Sequence, residues 1–163
     1  MAFLQPDGYF SRVSRIDVKH DLVERGLNTV LIDIDNTLRS RVDGRVPAEE
    51  RAWLERCANA GVRVCLLSNN FHTNVYELAE TLELPIVAKA LKPLPHGYLR
   101  ALRTMGASAR ETVVVGDQLF TDIVGAKALG LRSYMVAPLG DLDLPYMAAL
   151  RYVERAIVGE APA

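Results

Sequence analysis

Two aspartates two positions apart, Asp33 and Asp35, close an apolar run that begins at Thr29. Carboxylates at i and i+2 point to the same side of an extended chain. Like charges that close repel and shift each other's protonation unless a cation or a proton intervenes. Such a pair suits two jobs. Asp33 is a candidate nucleophile, because carboxylates form aspartyl-phosphate intermediates. Asp35 is a candidate general acid/base that protonates a leaving oxygen and later activates water.

Other chemistry-bearing residues follow further apolar runs. Thr37 comes two positions after Asp35, Ser68 and Asn69 follow Val62 to Leu67, Lys92 follows Ile86 to Ala88, and Asp117 and Asp122 follow Thr112 to Val115. Several acids at one rim invite a hard divalent cation. Mg²⁺ keeps some of its waters and takes one or two carboxylates plus phosphate oxygens, so Asp33 and Asp117 suffice, with a backbone carbonyl filling in. Lys92 offers positive charge to a phosphoryl group, and Ser68 and loop N–H groups offer donors. Phosphoryl transfer needs little beyond such positioning and neutralisation.

The elements that must hold these residues alternate. Strands are expected at about 29–34, 62–67, 86–88, 112–115 and 132–136. Helices are expected from Pro47 to a stop at Gly61, at 73–82, 95–105 and 121–129, and at 144–158 with Met147, Leu150, Val153 and Ile157 inward. Asp17 is a candidate cap for a short helix ending at Gly26. Residues 1–16 read as an irregular wrap. Near-continuous apolar strands alternating with helices indicate an α/β fold, a five-stranded parallel sheet covered on both faces. Ligands bind beyond the carboxyl ends of such strands, where every residue named above lies.

Asp33-Ile34-Asp35-Asn36-Thr37, then Ser68, then Lys92-Pro93, then Gly116-Asp117-Gln118-Leu119-Phe120-Thr121-Asp122 resemble, in order, the four motifs of the haloacid dehalogenase (HAD) superfamily. The resemblance covers roughly residues 28–137. It implies a Rossmann-like three-layer sandwich with the first strand central and a phosphatase that uses Mg²⁺. It implies Asp33 as nucleophile and Asp35 as acid/base. Thr37, Ser68, Asn69 and Lys92 become the substrate-binding set, and Asp33, Asp35, Asp117 and Asp122 the metal-site acids, Asp122 as a direct ligand or one shell out. More narrowly, the Asp-Asn-Thr-Leu and Pro-Asp-Gly-Tyr-Phe stretches are similar to the YqeG-type, subfamily IIIA branch, which also includes mitochondrial phosphatidylglycerophosphatases.

No cap domain fits. Only Leu38 to Val46 separates Thr37 from the next helix, and one helix and one strand use up Ser68 to Lys92. The site is therefore expected to be open, suiting a large phosphorylated substrate such as a phospholipid head group at a membrane surface, with water excluded by that substrate or by a partner copy in a homo-oligomer. A non-catalytic phosphoacceptor switch would place similar acids, a hydroxyl and a Lys at strand ends, but has no use for Asp35. A phosphotransferase is a third reading.

The chain of 163 residues suits one domain: a core at about 28–137, the N-terminal wrap, and the C-terminal helix covering the sheet edge. A net charge of −1 excludes nucleic-acid binding by bulk charge. Cys57 and Cys65 read as buried thiols in a reducing, cytoplasmic compartment, and the N-terminus lacks the pattern of a signal peptide. Lys89 is expected in solvent. Arg39, Arg41 and Arg45 read as a solvated loop or as a greeting for an anionic substrate. His72 reads as a loop residue or a substrate contact. Asn36 and Asn70 either shape turns or bind substrate.

Overall fold

A computed structural model describes residues 2–140 and 145–162. Its strands are β1 (Gly8–Phe10), β2 (Thr29–Ile32), β3 (Arg63–Leu67), β4 (Ile86–Val87), β5 (Thr112–Gly116) and β6 (Arg132–Val136). Its α-helices are α1 (Ala48–Asn59), α2 (Thr73–Leu82), α3 (Pro95–Met105), α4 (Val124–Ala128) and α5 (Pro145–Val158). The strands form one sheet in the order β1-β6-β5-β2-β3-β4, and all pairs are parallel. β2, which leads into Asp33, sits in the interior between β5 and β3.

Side chains alternate across the sheet and build the two faces. Val30, Ile32, Val64, Leu66, Val113 and Val115 face one side, where Trp53 and Cys57 of α1 and Val75 and Ala79 of α2 cover them. Leu31, Cys65, Leu67 and Val114 face the other, beneath Tyr98, Ala101 and Met105 of α3 and Ala126 of α4. Cys57 and Cys65 are free and buried, and burial pushes both thiols up to about 12.

The sheet has six strands, not five. The extra one is β1, inside the stretch expected to wrap irregularly, and Gly8↔Tyr134, Tyr9↔Met135 and Phe10↔Val136 set its register. The rest of the N-terminal segment is also more than a wrap. Val13, Ile16, Val18, Leu22 and Leu27 are buried with the first core cluster, and Trp53 Nε1 donates to the Ile16 carbonyl at 2.9 Å. Asp17 caps its helical turn by accepting from the His20 N–H at 2.8 Å, and Gly26 stops it at φ 72°.

β2 ends at Ile32, two residues earlier than expected, because the chain turns sharply after Asp33. The N–H groups of Leu38 and Arg39 both donate to the Ile34 carbonyl, at 3.0 and 2.8 Å. Asn36 takes the left-handed conformation this turn requires, φ 63°. Residues 38–47 hold turns and one isolated bridge, and residues 68–92 hold one helix and one short strand, so neither stretch contains an inserted domain.

The expected apolar stripe of α5 is only partly observed. Met147 is buried and Ile157 half-buried, but Val153 is 45 % exposed and Glu154 is buried. The expected start of this helix at Leu144 lies outside the described residues. Among the described residues, no helix is long and apolar enough to cross a membrane.

Candidate active site

Asp33 lies directly beyond β2, its N–H donating to the Val115 carbonyl of β5 at 2.9 Å. Asp117 follows β5 and is fully buried. Asp122 returns toward the sheet on the π-helical turn Leu119–Ile123 and is also buried. This return explains Gly116. A Cβ there would stand 2.2 Å from Asp122 Cγ, so only glycine lets the carboxylate close over the strand end. Oxygens of Asp33, Asp117 and Asp122 lie within 4.8 Å of one another.

Two cations face these three acids. Lys92 Nζ, deeply buried, bonds Asp33 Oδ1 and Asp122 Oδ1, each at 2.6 Å. Burial opposes its charge, but the two carboxylates outweigh that and hold Lys92 above the usual lysine range. Asn69 fixes the Lys92 backbone. Its Oδ1 accepts the Lys92 N–H at 2.7 Å, and its Nδ2 donates to the Lys92 carbonyl at 3.0 Å. The second cation is Arg151 of α5, which donates to Asp117 twice, to Oδ2 and to the backbone carbonyl. Thr37 Oγ1 bridges the acids, 3.1 Å from Asp117 Oδ1 and 3.4 Å from Asp33 Oδ2.

Among the described residues, these three acids thus face Lys92 and Arg151, the latter also 3.5 Å from Glu154. Burial, then the Asp33 charge, pushes Asp117 up to about 6 against the pull of Arg151. Burial pushes Asp122 up to about 7, with Asp33 and Asp117 adding to it and Lys92 opposing it. The donor set is all oxygen, buried and short of positive charge, which fits a hard divalent cation.

Asp35 stands apart from the three-acid cluster. Its Oδ1 accepts from Arg39 at 2.6 Å and its Oδ2 lies 3.4 Å from Asn70 Nδ2. Arg39 is therefore not part of a solvated loop; it is 8 % exposed, whereas Arg41 and Arg45 are exposed. Ser68 Oγ accepts the Asn70 N–H at 3.0 Å. Asp33, Asp35, Ser68, Asn69 and Lys92 line one open cleft of about 310 Å³, with Arg41, Phe71, His72, Gln118 and Thr121 at its walls. Lys89 is exposed, its Nζ 5.7 Å from the centre of the Phe71 ring.

A family model described as haloacid dehalogenase-like hydrolase matches residues 50–130. Over 156 residues the chain is 31 % identical to "Probable phosphatase YqeG" of Bacillus subtilis, covering 96 % of this chain and 90 % of that one. The chain belongs to the haloacid dehalogenase-like hydrolases. Within that family it is a phosphatase. It is also similar to the Arabidopsis thaliana phosphatidylglycerophosphate phosphatase 1, 28 % identical over 147 residues, which are 84 % of this chain and 42 % of that protein. Among solved structures, a Xanthomonas campestris protein superposes with a TM-score of 0.57 at 20 % identity, covering 83 % of this chain and 77 % of that one. The cobalt-bound deoxy-D-mannose-octulosonate 8-phosphate phosphatase of Haemophilus influenzae gives 0.55 at 14 % identity, covering 82 % and 88 %. These two likenesses speak for the fold alone.

The haloacid dehalogenase-like motifs name Asp33, Ser68, Lys92 and Asp117. They do not name Arg39 or Asn70, which hold Asp35, or Arg151 and Glu154, which hold the Asp117 loop. Arg39 and Asn70 were visible only as loop residues near a motif. Arg151 carried no local signal at all.

Proposed function

We propose that the chain is a Mg²⁺-dependent phosphomonoester hydrolase working through phospho-Asp33. The observation that carries this reading is the meeting of buried Asp117 and Asp122 with Asp33 and Lys92, the two that line an open cleft. Asp33 and Asp117 would hold the cation, with Asp122 anchoring Lys92 beside them. When bound, the cation neutralises phosphoryl oxygens and orients them toward Asp33. Lys92 Nζ fixes the Asp33 carboxylate through Oδ1. Asp33 attacks, the bond from phosphorus to the alcohol oxygen breaks, and Asp35 gives that oxygen its proton from Oδ2, the oxygen that Arg39 does not hold. Asp35 then takes a proton from water as the water oxygen attacks phosphorus. Phosphate leaves and Asp33 returns to its carboxylate. Ser68 offers a hydroxyl within the cleft, and Thr37 holds Asp33 and Asp117 beneath it.

The substrate reading is phosphatidylglycerophosphate, at a membrane surface reached from the cytoplasm. Its supports are the Arabidopsis thaliana relative and the cleft's wall, where exposed Phe71 stands with Arg41 and has Lys89 Nζ 5.7 Å from its ring centre. An apolar, cationic wall suits an anionic amphiphile. The whole chain serves as one hydrolase domain in this reading. Phosphate release from the lipid, set against sugar and nucleotide phosphates, tests it, with Asp33→Asn and Asp35→Asn as controls. Equal or lower turnover of the lipid would remove that substrate. A wild type without metal-dependent turnover of any monoester would remove the enzyme reading in favour of a phosphoacceptor switch.

A further inference from the structure

We infer that Arg151, on the C-terminal helix α5, is a positioning residue for the metal site, and that it acts by fixing Asp117 through the oxygen turned away from the cation. The inference rests on the metal site proposed above.

Asp117 divides its oxygens. Oδ1 accepts from Thr37 Oγ1, the same hydroxyl that lies 3.4 Å from Asp33 Oδ2, so Oδ1 is on the Asp33 side. Oδ2 accepts from Arg151 Nη2, and the Asp117 carbonyl accepts from Arg151 Nη1. The guanidinium is a rigid fork of donors, so these two bonds lock the side chain to its own backbone in one rotamer. Oδ1 is left presented toward Asp33.

The helix is built to deliver this fork. Glu154, three residues on, is 2 % exposed and accepts the Leu119 N–H at 2.8 Å. It also lies 3.5 Å from Arg151 Nη1. Two residues on one face of α5 thus grip residues 117–119. The helix also makes apolar contacts through buried Met147 and half-buried Ile157, while Tyr152 and Val153 are 78 % and 45 % exposed. Among the described contacts of α5, the buried polar pair is aimed at the loop that carries a metal-site acid.

A carboxylate ligand held this way binds its cation more tightly, because the order is already in place before binding. Loss of such a supporting bond weakens metal binding by about 10–100-fold. A competing view has Arg151 occupying the cation's place, and it predicts the opposite sign.

The test is calorimetric titration of Mg²⁺ into the metal-free full chain, wild type and variants, with circular dichroism as the check on folding. Arg151→Ala is expected to weaken Mg²⁺ binding by about 10–100-fold. Arg151→Lys, which keeps the charge but cannot span both oxygens, falls between. Arg155→Ala, one residue beyond the pair and exposed, binds as wild type does. Turnover of Arg151→Ala recovers as Mg²⁺ is raised, which a general packing defect would not show. If Arg151→Ala does not fold, Arg151→Lys decides alone: unchanged affinity overturns the inference. So does unchanged or tighter binding in folded Arg151→Ala while the wild type binds normally. A wild type that binds no Mg²⁺ overturns the metal site itself, and this inference with it.

Discussion

Replacing Lys92 by Met keeps the length of the side chain and removes its charge. In the metal-free protein this deletes two charge-assisted hydrogen bonds of 2.6 Å, to Asp33 and Asp122, in a site where Lys92 is 6 % and Asp122 1 % exposed. Bonds to charged groups contribute about 1.5–3 kcal/mol each, and breaking a buried ion pair by removing one partner costs about 3–5 kcal/mol. The two routes agree on a loss of about 3–5 kcal/mol. For a chain of this size that lowers Tm by roughly 6–20 °C. The assay is urea unfolding at pH 8 with a chelator present, comparing midpoints at constant slope. Adding Asp122→Asn to Lys92→Met removes one of the two stranded acids, so the double variant is expected to be at least as stable as Lys92→Met. A Lys92→Met loss below about 1 kcal/mol, or a further full loss in the double variant, would refute the charge balance described for the cleft.

Gly116→Ala is expected to abolish Mg²⁺-dependent turnover while leaving far-UV circular dichroism near wild type, because the new Cβ meets the Asp122 carboxylate 2.2–2.5 Å away and displaces it from Lys92. Retained wild-type kcat in this variant would contradict that packing. The metal-free protein is also expected to lose stability as pH rises. Asp117 and Asp122 are raised from 3.8 to about 6 and about 7, so between about pH 4 and 7 the folded state holds protons that the unfolded state has released. Their stabilising protonation is complete at the acid end and lost on passing through the folded values. A thermal melt with chelator should therefore give a lower Tm at pH 8 than at pH 5.5, and saturating Mg²⁺ should narrow the gap; a higher Tm at pH 8 without metal would count against it.

Periodicity and composition carried the sheet because each interior strand is a run of β-branched or aliphatic residues between turn signals. Val30 to Ile32 and Thr112 to Val115 could hardly be read otherwise. β1 was missed for a physical reason. Gly8-Tyr9-Phe10 is three residues long, all half-buried, and offers no alternation to read. Its pairing with β6 comes from tertiary contact across the whole chain. The site was legible where motifs are local: Asp33 and Asp35 share one turn, and Gly116 to Asp122 one strand end. Arg39 was read as a loop cation because its partner lies inside the turn, which the sequence does not draw. Nothing in the sequence pointed Arg151 or Glu154 at the site. Their burial follows from where α5 docks, and apolar spacing pointed to a different face, one that includes the exposed Val153.

The two edges of the sheet are its shortest strands, three residues in β1 and two in β4. An edge strand offers unpaired N–H and C=O groups that can template another chain, and brevity is one of the ways natural sheets suppress this. Without β1, the edge would pass to the five residues of β6, Arg132–Val136, among which Tyr134 and Val136 are deeply buried. The half-buried Gly-Tyr-Phe stretch thus does more than widen the sheet. It takes the place of a longer, stickier border, and it protects the solubility of a molecule whose reactive cleft opens on another side of the same strands.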